Sequence, residues 1–168
     1  LADRDDGALV KLIAETGGQN VMLIDSSALA EQVVRDVVQS AFNSAGQRCS
    51  ALRVLLLQDD VADRVISLLA GHVSDLRIGD PARIDTDIGP VIDCAARDAL
   101  LEHREKIIAA GRLICEGRLP EGHERGSFVA PLVVEIPDIS ILKAEHFGPI
   151  LHIVRYRRDA LDAALASV

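Results

Sequence analysis

The segment from Val21 to Leu57 constrains the fold more than any other. A short apolar run, Val21 to Ile24, is followed by Asp25-Ser26-Ser27, residue types that cap helices. From Leu29 the apolar positions Ala30, Val33, Val34, Val37, Val38, Ala41 and Phe42 follow helical spacing, which predicts a helix with one strongly buried face. The pattern stops at Asn43-Ser44-Ala45-Gly46, and Arg53-Val54-Leu55-Leu56-Leu57 then reads as a buried strand. Strand, helix and strand in that order argue for a parallel sheet.

The rest of the chain continues the alternation. Leu9 to Ala14 is another apolar run, leading into Gly17-Gly18, and an amphipathic helix is predicted from about Asp60 to Leu69. A loop with Gly79, Pro81 and Gly89-Pro90 precedes a third helix from about Asp93 to Ala110, with Gly111 at its C-terminal end. Strands are predicted over Leu113 to Cys115, Phe128 to Ile136 and Ile150 to Tyr156. The expected class is therefore α/β, a largely parallel sheet flanked by helices, in one compact domain over residues 1–168. The chain opens on Leu1-Ala2-Asp3 without Met and closes on Ser167-Val168 in what reads as a running helix, so a piece of a longer polypeptide is expected.

Composition excludes several functions. At 168 residues with 49% hydrophobic and 26% charged content, the chain can build a real core, since about 150 residues already bury about 70% of the unfolded surface. A net charge of -8 argues against binding a phosphate backbone, and 2% aromatic content leaves no platform for stacking bases, so no nucleic acid is expected. Cys49, Cys94 and Cys115 are widely spaced, with no CxxC and no Cys/His ligand cluster, so neither a metal nor a disulfide framework is expected. That usage suits a reducing, cytoplasmic compartment, and no apolar run approaches the 18 residues that suggest a membrane span.

The chemistry concentrates at two places. Cys49 lies 34 residues beyond Glu15, each on a turn-forming stretch. A thiolate can attack an aldehyde or acyl carbon, and a carboxylate can then activate water against the resulting thioester. Glu15 needs a raised pKa for that work, which the apolar Leu12-Ile13 approach makes reasonable. A free cysteine is more usually a buried structural residue, the reading given to Cys94 on a helix and Cys115 on a strand.

With these residues in view, the chain resembles the NAD(P)-dependent aldehyde dehydrogenases over essentially its whole length. The match rests on Glu15-Thr16-Gly17-Gly18, Gly46-Gln47-Arg48-Cys49, Gly126-Ser127-Phe128 with Pro131, and Glu145-His146-Phe147-Gly148-Pro149 in order, with Gly79-Asp80-Pro81 and Thr86-Asp87-Ile88-Gly89-Pro90 as a connector. Within that family, Ile13 to Asn20 and Ser44 to Arg53 look most like the pyrroline-5-carboxylate dehydrogenases, in particular the dehydrogenase module of the bacterial bifunctional proline-utilisation flavoenzyme. The resemblance implies oxidation of glutamate semialdehyde to glutamate, with NAD as cofactor and NADP left open. Cys49 would be the nucleophile, passing from thiohemiacetal to thioester, and Glu15 the base. Glu145 would accept the nicotinamide ribose hydroxyls and Phe147 pack beside the nicotinamide, with Thr16 and Gly17 also on the cofactor side. Ser50, Gly126, Ser127 and Phe128 would anchor the far end of the substrate, though a plain turn before a strand also explains Gly126-Ser127. His146 is read as a loop histidine.

The resemblance also implies partners: the aldehyde, further copies of the parent chain, and the rest of that polypeptide with its dinucleotide-binding and proline dehydrogenase domains. Residues 1–20 would be a remnant of the join to the dinucleotide-binding domain. No G-x-G-x-x-G occurs, and the family's upstream oxyanion-binding Asn and its oligomerisation hairpin have no counterpart here. Losing one oxyanion donor typically costs about 2.7–4 kcal/mol of barrier, so these residues alone are expected to turn over little. Two alternatives stay open: a dehydrogenase for succinate semialdehyde or another small aldehyde, and a non-catalytic domain with an assembly role.

Overall fold

A computed structural model describes residues 13–14 and 16–168. The apolar run up to Leu12, the candidate base Glu15 and most of the proposed join over 1–20 therefore lie outside the described residues. Among the described residues five strands form one sheet: β1 (Val21–Ile24), β2 (Val54–Gln58), β3 (Arg112–Glu116), β4 (Leu132–Glu135) and β5 (Ile150–Tyr156), in the spatial order β1-β2-β5-β4-β3. Three of the four pairings are parallel, and only β3 runs antiparallel to β4, so the expectation of a largely parallel sheet holds.

The helices are α1 (Ala30–Phe42), α2 (Asp59–Asp75), α3 (Cys94–Ala110) and α4 (Leu161–Ala166). The apolar stripe foreseen on α1 buries Ala30, Val33, Val34, Val37, Ala41 and Phe42. Helix α2 outruns the predicted Leu69 because its stripe continues: Ala62, Val65, Leu69 and Val73 are all buried at helical spacing. Asp93 caps α3, its carboxylate accepting from Ala96 N–H at 2.7 Å. Strand β4 is shorter than the predicted Phe128 to Ile136. Pro131 has no N–H to donate to a ladder, and regular pairing starts only after it.

Alternation along β2 sorts the core. Leu55 and Leu57 join the main cluster with residues of α1 and α2, while Val54 and Leu56 meet Tyr156 and Ala164 in a smaller one. Arg155 of β5 pairs with Asp63 of α2, and its neighbour His152, on the alternate face, meets His103 of α3. Helices thus cover both faces of the sheet. The N-terminal entries to β1 and β2 and the loop entering β5 come together at one end, and Cys49 sits there.

Candidate active site

Cys49 is delivered by a stretch of backbone that few sequences tolerate. After α1 the chain enters the left-handed region at Ser44 (φ 56°), Ala45 (φ 53°) and Gly46 (φ 64°). For a residue with a side chain that conformation costs about 1–2 kcal/mol. A methyl group on Gly46 would collide with the carbonyl of Gly148, so only glycine lets the Phe147-Gly148-Pro149 loop close over the turn. The chain then turns again over 48–51, where Ala51 N–H donates to Arg48 O at 3.1 Å. Cys49 and Ser50 occupy the two central positions of this turn, both exposed.

Two residues hold the turn in place. Asn20, just before β1, donates through Nδ2 to Cys49 O at 2.7 Å and to Ala51 O at 2.9 Å. Arg53, only 1% exposed, donates through Nη1 to Gly46 O at 2.6 Å and through Nη2 to Arg48 O at 3.2 Å. Burial pulls the Arg53 pKa down, and the charge of Glu145 opposes that shift. Gln47 ties the turn to its other neighbour by accepting from Ile92 N–H at 2.8 Å.

Glu145 faces this assembly from the loop entering β5. Its Oε1 lies 3.9 Å from Arg53 Nη2, too long for a hydrogen bond, and Phe147 sets its ring 5.2 Å from the Arg53 guanidinium carbon. Among the described residues, Glu145 Oε1 is buried without a hydrogen-bond partner. A buried carboxylate oxygen left unpaired suits a ligand that brings hydroxyl donors. Gly17 packs so closely on this carboxylate that a methyl group there would strike it, and Gln19 donates to Ala144 O at 2.7 Å. Thr16 is exposed beside them.

The structure brings Gly17, Glu145 and Phe147 together around Arg53, which also holds the turn carrying Cys49 and Ser50. The Ser127 hydroxyl donates to Val91 O at 2.5 Å, while Val91 N–H donates to Ser127 O at 2.8 Å. That hydroxyl hydrogen is committed to the backbone, and Phe128 packs against the core. The loop meets the Cys49 turn indirectly, through Val91, Ile92 and Gln47. A cavity of about 360 Å³ opens beside Ser50, lined by Met22, Asp36, Gln39, Ser40, Arg48 and Ala51.

Sequence reasoning passed over Asn20 and Arg53. Arg53 carried a usable signal, because an arginine heading an otherwise apolar buried strand must be paired or costly. His146 is also more than a loop residue: its ring stacks on His103 at 3.9 Å between centroids and 18° between planes. Of the other thiols, Cys94 is exposed at the start of α3, and burial on β3 pushes Cys115 up to about 11.

Comparison with known proteins gives this geometry a lineage. The Aldehyde dehydrogenase family matches residues 1–167. The chain belongs to the aldehyde dehydrogenase family. It is 48% identical over 167 residues to the bifunctional protein PutA of Klebsiella aerogenes, an alignment that covers 96% of this chain and 13% of that relative. It is 36% identical to the 1-pyrroline-5-carboxylate dehydrogenase of Geobacillus kaustophilus (strain HTA426), covering 89% of this chain and 29% of that one. A crystal structure of Bradyrhizobium japonicum Proline Utilization A superposes with a TM-score of 0.91 at 50% identity, over 98% of this chain and 16% of the other. The chain thus spans a small part of the length of each of these relatives.

Proposed function

We propose that these residues supply the nucleophile, the general base and the nicotinamide side of the cofactor site for NAD-dependent oxidation of glutamate semialdehyde to glutamate. One observation carries the reading: an exposed thiol on a turn held by Asn20 and a buried arginine, beside a buried carboxylate oxygen awaiting donors. The kinship with 1-pyrroline-5-carboxylate dehydrogenase and PutA supports the choice of substrate and of a role in proline breakdown.

The Cys49 thiolate attacks the aldehyde carbon and forms a thiohemiacetal, and loss of hydride from that carbon leaves a thioester on Sγ. Glu15 takes a proton from the water that hydrolyses it. Glu145 would hold the cofactor by accepting hydrogen bonds from its ribose hydroxyls, Phe147 and the backbone around Thr16 and Gly17 would border its nicotinamide, and the cofactor would supply the hydride acceptor. Ser50 contributes a hydroxyl to the substrate side. Gly126 to Phe128 act there by holding Val91 and Ile92 against Gln47, in keeping with the hydrogen bond that Ser127 already makes.

The test is NADH formation by the full-length protein that contains this chain, with glutamate semialdehyde and an uncharged aldehyde of similar length. Cys49→Ala is expected to lower kcat by at least about 10³-fold, as for the loss of any covalent nucleophile. Glu15→Gln is expected to keep one burst of NADH and then stall. Equal kcat/KM for both aldehydes would sink the substrate assignment, and turnover surviving in Cys49→Ala would sink the mechanism.

A further inference from the structure

We infer that Arg53 is a positioning residue that transmits occupation of the Glu145 site to the turn presenting Cys49, an inference that rests on the roles just proposed for those two residues. A guanidinium presents its donors in a fixed fork, so a shift of one arm moves the others. Here one arm donates to Gly46 O at 2.6 Å, while Nη2 donates to Arg48 O at 3.2 Å and is drawn the other way by the charge of Glu145, whose Oε1 lies 3.9 Å off. Arg48 O is also the acceptor that closes the 48–51 turn. Hydroxyls that donate to Glu145 draw its charge away from Arg53 and release Nη2 toward Arg48 O. The turn carrying Cys49 then tightens.

The far side of Arg53 is anchored so that this movement is confined to the guanidinium. Its carbonyl accepts twice from His152, from the backbone N–H at 3.0 Å and from the ring at 2.9 Å. Because a carbonyl only accepts, His152 carries its proton on Nδ1, and its Nε2 must then accept from His103 Nε2 at 3.0 Å. His103 in turn stacks on His146, the residue between Glu145 and Phe147. Backbone and cofactor loop are thereby fixed to the same pair of rings, and the arginine head is the part left to respond.

The experiment is alkylation of Cys49 by iodoacetamide in the full-length protein, followed by peptide mass, with and without saturating NAD. In the wild type the rate is expected to change about fivefold or more on adding NAD, whereas in Arg53→Lys, which keeps the charge but loses the fork, it changes less than about twofold. Arg53→Lys is further expected to lower kcat by about 30-fold with KM for NAD within about threefold, the pattern of a residue that positions rather than binds. Should Arg53→Lys fail to fold, Glu145→Gln decides the matter without cofactor: its Cys49 is expected to react at the rate of the NAD-bound wild type. A Glu145→Gln rate equal to that of the free wild type overturns the coupling, as does an Arg53→Lys protein with wild-type response to NAD. A protein that makes no NADH from glutamate semialdehyde overturns the proposed function instead, and the cofactor-free comparison still judges Arg53.

Discussion

The turn over 43–53 and the loop over 122–128 look alike in sequence, each a Gly- and Ser-containing stretch before a strand, yet they are built in opposite ways. The first places two side-chain-bearing residues in the left-handed region and is held by a buried arginine. The second keeps its left-handed position on Gly122 and is held by a reciprocal pair of hydrogen bonds between Val91 and Ser127. Strained backbone and a desolvated charge are kept where geometry must be exact to a few tenths of an ångström. The contrast is what the proposed division of labour expects, with the chemistry at the first segment.

Glycine replacement gives the sharpest separation. Gly46→Ala adds a methyl group where φ is +64° and where the backbone carbonyls of Gly148 and Ala41 already press in, so neither neighbour can yield cheaply. A loss of about 3 kcal/mol or more is expected, with Cys49 alkylation losing its site selectivity. Gly126→Ala meets only the ring of Phe128, at φ -140°, and a side-chain rotation relieves it at a cost of about 1 kcal/mol. Thermal midpoints of the two full-length variants check this, and equal losses would erase the distinction.

Acid attacks the two regions unequally as well. Burial holds His152 down to about 4 and His103 down to about 3, with His146 adding to the effect on His103. Unfolded histidines protonate near 6.5. Between that value and about 4, opening the structure around Arg53 takes up protons that the folded form excludes, so stability there falls as pH falls. The slope is about 1.4 kcal/mol per pH unit for His152 alone, or about 2 kcal/mol by pH 5. Hydrogen exchange at Val54 and His152, corrected for intrinsic rates, should lose protection to that extent between pH 7 and 5. Val91 and Ser127 amides should not, and equal losses at both places would mean that acid acts globally.

Much of the architecture was legible because burial alone writes it. The stripe on α1 and the run Val54 to Leu57 need no partner to be read, and their order dictates a parallel pairing. Helix α2 runs past its predicted end at Leu69 because Val73 continues the buried stripe beyond Gly71. The site was legible only as far as its motifs. Cys49 and Glu145 stand in recognisable strings, but Asn20 acts through backbone carbonyls about 30 residues away, which leave no trace in side-chain type. Arg53 left only its charge at the head of an apolar strand as a signal. His103 meets His152 across 49 positions, a contact that no local pattern encodes. Ser127 shows the converse: a hydroxyl in an attractive motif whose hydrogen goes to the backbone.

Side-chain truncation makes the finest test of the same contrast. Asn20→Ala removes both bonds to the carbonyls of Cys49 and Ala51, while the ties made by Arg53 and Gln47 remain. Two neutral hydrogen bonds are worth about 1–3 kcal/mol, and because they position the reacting thiol the loss should appear in kcat, about 10- to 100-fold, with KM for NAD little changed. Ser127→Ala removes one bond to Val91 O, while the reverse bond from Val91 N–H stays. A change of less than about threefold in kcat for either aldehyde is expected, within the roughly 1 kcal/mol of one such bond. A large rise in KM for glutamate semialdehyde alone, with the uncharged aldehyde unaffected, would return Ser127 to the substrate and show that its hydroxyl leaves Val91 when a carboxylate arrives.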